Sequence, residues 1–572
     1  MPIKGVVFDV GQTLSNQLDK ENLFERMKKY YEGVFEMLVE REFGSVFPSV
    51  FSYNKQEFAS ALDKFNRSIR NQKNTSIEMY SEYRLAEQVL QVLVNFENTL
   101  LEKDLLAKNF SYLLEEIDRI LEVRDNLEIG VYELWPDTEQ VLQELKQRNF
   151  VIGLASNTAH PVKHNFMLEK LGIRKYIDHH AISSYIGVRK PNPRMLEILC
   201  EMMGLSKDEV VVVGDLLDRD ILMGNLGGAK TIWINAKPYS LEQNLKRLRD
   251  PLPEYLPDAG ICCLSQLLPT IEYFNHQTPN TDQIKVGYYF PSFAKKYQTG
   301  SLKAFVPCKE IFYMPIEILA PIETFGHLDA IVHKVTDFLL SDEPSEALDN
   351  LTEYLQRHPE VLLLDSIEGV KLTSNRLNFC SSLKSFEVQG VRVRPPKFYN
   401  LENAEYPCIL KTEAACQVEG AHDMVIAFNQ RGLRSGLSCF KNKTIIQEWI
   451  GHSGSLFKVY SVGNTHNLNV CDSIKFRESV GDYLFFKYTE KWPEGMAVQR
   501  GSEEIDHCLL EQISFRIQEI TGLGVFGFDL VREDSSGDLV ILDLNYFPSF
   551  SKFPDFPNAV NNYILEKCRQ NK

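Results

Sequence analysis

The sequence predicts an α/β chain in two parts: an N-terminal doubly wound parallel sheet with a helical insertion, and a C-terminal α+β part. Three observations lead there. Across residues 135–268 short apolar runs alternate with amphipathic stretches, the order that builds a parallel sheet with helices on both faces. At residues 275–283 that pattern stops in a polar, proline-containing segment. Beyond it the chain ends on two apolar strands, 525–530 and 540–546, which carry acids and are separated by the polar turn 532–538.

The expected parts are therefore residues 1–272, a linker at 273–283, and residues 284–572. A chain of 572 residues is too long for one core, and 44% hydrophobic with 24% charged residues is an ordinary globular balance. The net charge of -16 argues against nucleic acid as a partner, because duplex binding draws on a basic surface. A phosphorylated small substrate needs only a local cluster of Lys and Arg. The 11 cysteines include no C-x-x-C pair, which suggests reduced thiols in an intracellular protein. With no signal peptide and no membrane-length apolar run expected, the cytoplasm is the expected location. Oligomeric state is open, and a monomer is compatible with the sequence.

Taken in order, residues 3–8 read as a buried strand ending at Asp9. Residues 22–126 turn helical, with Leu23, Met27, Tyr30, Val34 and Leu38 at three- to four-residue spacing; the insertion is placed at about 15–133. A helix at 137–148, a strand at 150–155, helices at 163–171 and 193–203, and strands at 210–214 and 230–234 follow. Four constellations stand at the C-terminal ends of predicted parallel strands, where open α/β sheets place ligands. They are Asp9 in Phe8-Asp9-Val10-Gly11-Gln12-Thr13, Ser156 in Ala155-Ser156-Asn157, Lys190 in Arg189-Lys190-Pro191, and Asp215 with Asp220.

In this order and spacing the four resemble the motifs of the haloacid dehalogenase-like hydrolases, whose cap the helical insertion matches. The resemblance implies Asp9 as a nucleophile toward phosphorus, Ser156 and Lys190 on the phosphoryl oxygens, and Mg²⁺ held by Asp9 and Asp215. One departure stands out. Phosphatases of the family place a second Asp two residues after the nucleophile as general acid, and here that position is Gly11.

In the C-terminal part, Asp543 and Asn545 lie two apart in one strand and so share a face, and Asp529 sits in the preceding strand. Three hard oxygen donors in one small volume suit Mg²⁺ held together with substrate phosphates. Strand 407–411 ends at Lys411, and strands 445–450 and 456–460, the second carrying Lys458, flank the turn 451–454.

These pieces resemble an ATP-grasp domain and, more narrowly, the inositol 1,3,4-trisphosphate 5/6-kinases. The narrower match rests on Val286-Gly287-Tyr288, Leu328-Asp329-Ala330-Ile331-Val332-His333-Lys334, Ser374-Asn375-Arg376, Gly420-Ala421-His422-Asp423-Met424, Leu456-Phe457-Lys458-Val459-Tyr460 and Asp543-Leu544-Asn545-Tyr546-Phe547-Pro548. It implies Lys411 on the ATP phosphates, Gln447 through Ile450 at the adenine, Ser473 on the nucleotide side, and Arg376 between nucleotide and inositol phosphate. Lys334, His422 and Lys458, with Lys295 or Lys296, would grip substrate phosphates, beside Asn545 and Ser549. Asp529, Asp543 and Asn545 would bind Mg²⁺. Two departures bear on the substrate: Ser549 where the family commonly has Gly, and Glu413 close after Lys411.

The expected function is an ATP- and Mg²⁺-dependent kinase for an inositol tris- or tetrakisphosphate, fused to a hydrolase-like part. The alternatives are a bifunctional kinase–phosphohydrolase and a non-catalytic inositol phosphate sensor, with a carboxylate–amine ligase more remote.

Overall fold

The computed structural model describes residues 1–17, 54–60, 132–158, 161–235, 238–276, 283–290, 301–339, 345–414, 423–452, 455–475, 481–487, 497–499 and 504–571, with a few single positions besides. The chain divides into two compact units, Met1–Pro279 and Asn280–Lys572. Among the described residues every cysteine is a free thiol, and no helix is long and apolar enough to cross a membrane.

The first unit is built on a six-stranded parallel sheet in the order His179–Ile182, Val151–Ser156, Gly5–Phe8, Val210–Gly214, Lys230–Ile234, Ala259–Ile261. All residues of the central strands Gly5–Phe8 and Val210–Gly214 are buried, as a sheet covered on both faces requires. The helices Thr138–Gln147, Pro161–Lys170 and Arg194–Met203 fall within two residues of their predicted limits. Two strands of this sheet and the helices Leu222–Gly227, Pro238–Arg249 and Leu267–His276 are not predicted from the sequence. The strand His179–Ile182 has only four residues and opens on two histidines, and Ala259–Ile261 has only three, so neither shows a periodic signal. Ser15–Gln17 pairs antiparallel with Tyr132–Leu134, so the insertion leaves and rejoins at one place. Most of its predicted helical stretch lies outside the described residues. The helix Leu267–His276 takes in the first residues of the expected linker.

The second unit carries three sheets. Ile311–Pro315, Ile284–Tyr289, Ala330–His333 and Leu362–Leu364 form a parallel sheet. A five-stranded antiparallel sheet runs Phe398–Tyr399, Thr444–Glu448, Cys408–Thr412, Asp423–Ala427, Tyr483–Lys487. A seven-stranded mixed sheet runs Phe386–Val388, Val391–Arg394, Leu539–Tyr546, Val525–Arg532, Ser455–Val462, Thr465–Lys475, Ala497–Gln499. Its hairpin Val525–Arg532/Leu539–Tyr546 is the pair predicted from the two acid-bearing runs. The Asp365 carboxylate ties this sheet to its surroundings. It accepts from the backbone N–H groups of Gly524 and Val525 at 2.8 and 2.9 Å and from the Tyr563 hydroxyl at 2.7 Å. The buried Tyr546 hydroxyl donates to the His333 carbonyl at 2.7 Å.

Candidate functional site

In the first unit the strand ends converge as parallel topology demands. The Lys190 ammonium, 3% exposed, lies 2.5 Å from Asp9 Oδ1 and 2.6 Å from Asp220 Oδ1. Carboxylate oxygens of Asp9, Asp215 and Asp220 all fall within 4.8 Å of one another. Asn157 clasps the Lys190 backbone from both sides, accepting from its N–H at 2.8 Å and donating to its carbonyl at 3.0 Å. The Asp215 carbonyl is fixed by Trp233 Nε1 at 3.1 Å and Asn244 Nδ2 at 2.8 Å. A Cβ on Gly214 would fall 2.2 Å from the Asp220 Cβ, so only glycine allows that approach. Ser156 ends its strand and lines, with these groups, a cavity of about 440 Å³.

The electrostatics show a cluster short of positive charge. Burial lifts the Asp9 carboxyl to about 6, Lys190 opposing and Asp220 adding to the rise. Burial pushes Asp215 well above the carboxylate range, reinforced by Asp9 and Asp220. Burial works against the Lys190 charge, but Asp220 and Asp9 prevail and hold it above the usual lysine range. Three carboxylates facing one ammonium fit a divalent cation of the Mg²⁺ type. Asp220, whose ion pair with Lys190 completes the group, had been read only as a neighbour of Asp215.

In the second unit the hairpin sets Asp529 directly opposite Asp543, and Gly527 opposite Asn545. A bulge shifts the register after Asp529 and leaves Leu542 unpaired, beside the acids. Lys458 pairs in register with Asp529 from the next strand, its ammonium 2.9 Å from Oδ2. Arg376, buried, places one guanidinium nitrogen 3.4 Å from Asp543 Oδ2 and donates with the other to the Thr412 and Ala414 carbonyls at 2.7 Å each. Lys411 is buried nearby; burial and then Arg376 lower it to about 8, against the pull of Asp543 and Asp529. Burial raises the Asp529 carboxyl, with Lys458 opposing and Asp543 adding. Two carboxylates and the Asn545 amide oxygen on one sheet face form a hard donor set that fits Mg²⁺.

The flanking candidates take defined places. Gln447 is buried in its strand, opposite Ile409. The Ile450 carbonyl meets His452 Nδ1 at 2.7 Å, while His452 Nε2 meets Ser473 Oγ at 2.7 Å. Nδ1–H is therefore the donor to the Ile450 carbonyl, and Nε2 shares a hydrogen bond with the serine hydroxyl. Sequence reasoning had passed over His452. The Lys334 ammonium is buried and donates to the Tyr546 and Phe547 carbonyls at 2.7 and 3.0 Å, holding the loop that leads to Ser549. That loop carries Phe547 and Phe550 at φ 44° and 49°, a left-handed region that bulky side chains rarely adopt. Packing fixes it: Phe550 stacks on Phe556 at 4.2 Å, and Ser301 donates to the Pro548 carbonyl at 2.8 Å. Glu413 is held by Asn375 at 2.8 Å and by the Lys443 ammonium at 2.8 Å. His422, Lys295 and Lys296 lie outside the described residues.

The comparisons with known proteins divide along the same line. The haloacid dehalogenase-like hydrolase family model matches residues 3–228. The inositol 1,3,4-trisphosphate 5/6-kinase pre-ATP-grasp model matches residues 285–370, and the corresponding ATP-grasp model residues 380–483 and 493–566. The two sets of matches fall on the two units of the chain. The second unit is 26% identical over 315 residues to an inositol-tetrakisphosphate 1-kinase of Xenopus laevis, covering 49% of this chain and 78% of that protein. It is also 26% identical over 344 residues to inositol-tetrakisphosphate 1-kinase 6 of Oryza sativa subsp. indica, covering 52% of this chain but only 62% of that protein. Solved structures similar to parts of the chain include a HAD phosphatase from Thermococcus onnurineus, with 19% identity, TM-score 0.28 and coverage of 46% of this chain and 96% of that one. Another is a D-alanine–D-alanine ligase from Bacillus anthracis, with 12% identity, TM-score 0.35 and coverage of 50% and 100%. The unit that matches the kinase models thus holds the Lys458–Asp529 and Arg376–Asp543 pairs, and the unit that matches the hydrolase model the Asp9–Lys190–Asp220 cluster.

Proposed function

We propose that the chain is an ATP- and Mg²⁺-dependent kinase that transfers the γ-phosphoryl group of ATP to a hydroxyl of an inositol tris- or tetrakisphosphate. The observation that carries the reading is the row Arg376, Asp543, Asp529, Lys458: two acids facing each other across a ladder, each with a cation at its outer side. Mg²⁺ on Asp529, Asp543 and Asn545 would neutralise charge on the β- and γ-phosphate oxygens.

Around it, Lys411 holds the ATP phosphates, while the Gln447–Ile450 edge, steadied by His452 and Ser473, orients the adenine. Arg376 stands at the junction of donor and acceptor. Lys458 binds acceptor phosphate once its carboxylate partner turns to the cation. Lys334 fixes the carbonyls of 546 and 547 and so sets where Asn545 and Ser549 meet the acceptor. In such a site positioning and charge neutralisation supply the rate, with little covalent work for the protein.

The test is a turnover screen of inositol tris- and tetrakisphosphate isomers with ATP and Mg²⁺, products resolved by position. ATP-dependent formation of a more phosphorylated isomer is expected. Absence of product from every isomer, in protein that binds ATP, would overturn the reading.

A further inference from the structure

The hydrolase-family unit lacks one side chain while keeping the space for it. A Cβ built on Gly11 meets nothing within 4 Å, and its backbone is not left-handed, so the position usually held by the general acid is open rather than remodelled. The rest of the machinery is assembled. Lys190 bridges Asp9 and Asp220, and Asp215 completes the carboxylate group. The cavity wall adds His164, 4% exposed, whose Nε2 has no hydrogen-bond partner. Burial keeps that imidazole neutral, so it offers a polar contact but no ready proton. Among the described lining residues the only carboxyl groups are Asp9, Asp215 and Asp220, all within the cluster.

The described residues of this site thus offer a carboxylate and a charge clamp, and no carboxylic acid outside the cluster to protonate what leaves. We propose that Asp9 accepts a phosphoryl group from donors whose leaving group departs as a stable anion, acyl phosphates or phosphoanhydrides, and keeps it as a long-lived aspartyl phosphate. In the first step a carboxylate oxygen of Asp9 forms the bond to phosphorus. The bond from phosphorus to the leaving oxygen breaks, and that oxygen takes the electron pair as carboxylate or phosphate. Mg²⁺ on the carboxylates balances the charge. In the second step water attacks phosphorus, Asp9 departs as carboxylate and the water proton passes to solvent; with no base placed at position 11 this step is slow. Alkyl phosphate esters, inositol phosphates among them, are poor donors because an alkoxide must be protonated as it leaves.

The experiment incubates the full-length protein with Mg²⁺ and acetyl phosphate, pyrophosphate or glycerol phosphate, without ATP, and reads the intact mass after acid quench. A single phosphoryl increment is expected with acetyl phosphate or pyrophosphate, the responding donor fixing the class. It should be removed by hydroxylamine, absent in Asp9→Asn and absent with glycerol phosphate. Gly11→Asp should shorten the adduct lifetime by about 10²- to 10⁴-fold, the usual reach of general acid–base help, and release phosphate from glycerol phosphate. No adduct from either acidic donor, or hydrolysis of glycerol phosphate by the unmodified protein as fast as acetyl phosphate, overturns the proposal. The comparison with Asp9→Asn decides the first point even if Gly11→Asp does not fold.

Discussion

Asp529 and Asp543 face each other across adjacent antiparallel strands, and each has a basic side chain at its outer oxygen, Lys458 at 2.9 Å and Arg376 at 3.4 Å. Like charges at this range oppose each other; burial raises the Asp529 carboxyl, Lys458 opposes the rise and Asp543 adds to it. A divalent cation held by the two acids would relieve the repulsion and free the two basic groups to turn toward phosphate.

Neutralising either acid should therefore stop phosphoryl transfer without unfolding the protein. For Asp543→Asn or Asp529→Asn the expected loss in kcat/KM is about 10²- to 10³-fold, the scale of removing one charge-stabilising group from a preorganised site. ADP release measured beside a melting curve checks it. Asp9→Asn should leave this activity in place, since Asp9 belongs to the other unit; equal loss in both variants would defeat the division of labour.

Lys411 gives a pH dependence whose direction follows from burial. Its pKa falls from 10.5 to about 8, so its ammonium is present below about pH 8 and lost above. The kcat/KM for ATP should decline on the alkaline side of about 8, and Lys411→Arg should move that limb upward. Stability runs the other way. The unfolded lysine holds its proton up to 10.5, so between about 8 and 10.5 the unfolded state binds more protons, and this residue's contribution to folding improves as pH rises. Urea midpoints at two pH values read that sign.

His452→Ala removes the donor from the Ile450 carbonyl and the Nε2 contact with the Ser473 hydroxyl. KM for ATP should rise about 2- to 10-fold, one hydrogen bond of about 0.5–1.5 kcal/mol, with kcat little changed. A fall confined to kcat would place His452 elsewhere in the cycle.

Asp365→Asn should lower the melting temperature. The carboxylate accepts from Gly524, Val525 and Tyr563, and an amide NH₂ group facing those donors leaves at least one of them unsatisfied. The cost is about 1–3 kcal/mol. Tyr563→Phe, which removes one donor only, should cost less.

Much of this was legible in the chain because the informative residues are neighbours along it. Asp543 and Asn545 are two apart in an apolar run, and Asp529 lies one short turn away, so strand periodicity alone placed them on one face. The strands Val210–Gly214 and Lys230–Ile234 were readable for the same reason, as unbroken apolar runs. The polar knots were not. Asp365 meets Gly524 across 159 residues and Tyr563 across 198, and Arg394 meets Glu448 at 2.5 Å across 54. No local pattern marks such partners, because the fold alone brings them together. Glu413, worrying beside Lys411 in the sequence, is engaged by Lys443 and Asn375, which only coordinates reveal.

The antiparallel pair Ser15–Gln17 and Tyr132–Leu134 has a consequence for how the first unit can change. The chain between its strands leaves and returns at this one pair, a parenthesis in the chain rather than a clause of it. Residues can be added, removed or replaced inside that parenthesis without moving the register of a single strand of the six-stranded sheet. Tyr132, at the closing bracket, also lines the Asp9 cavity. What reaches Asp9 can thus be rewritten separately from Asp9 itself.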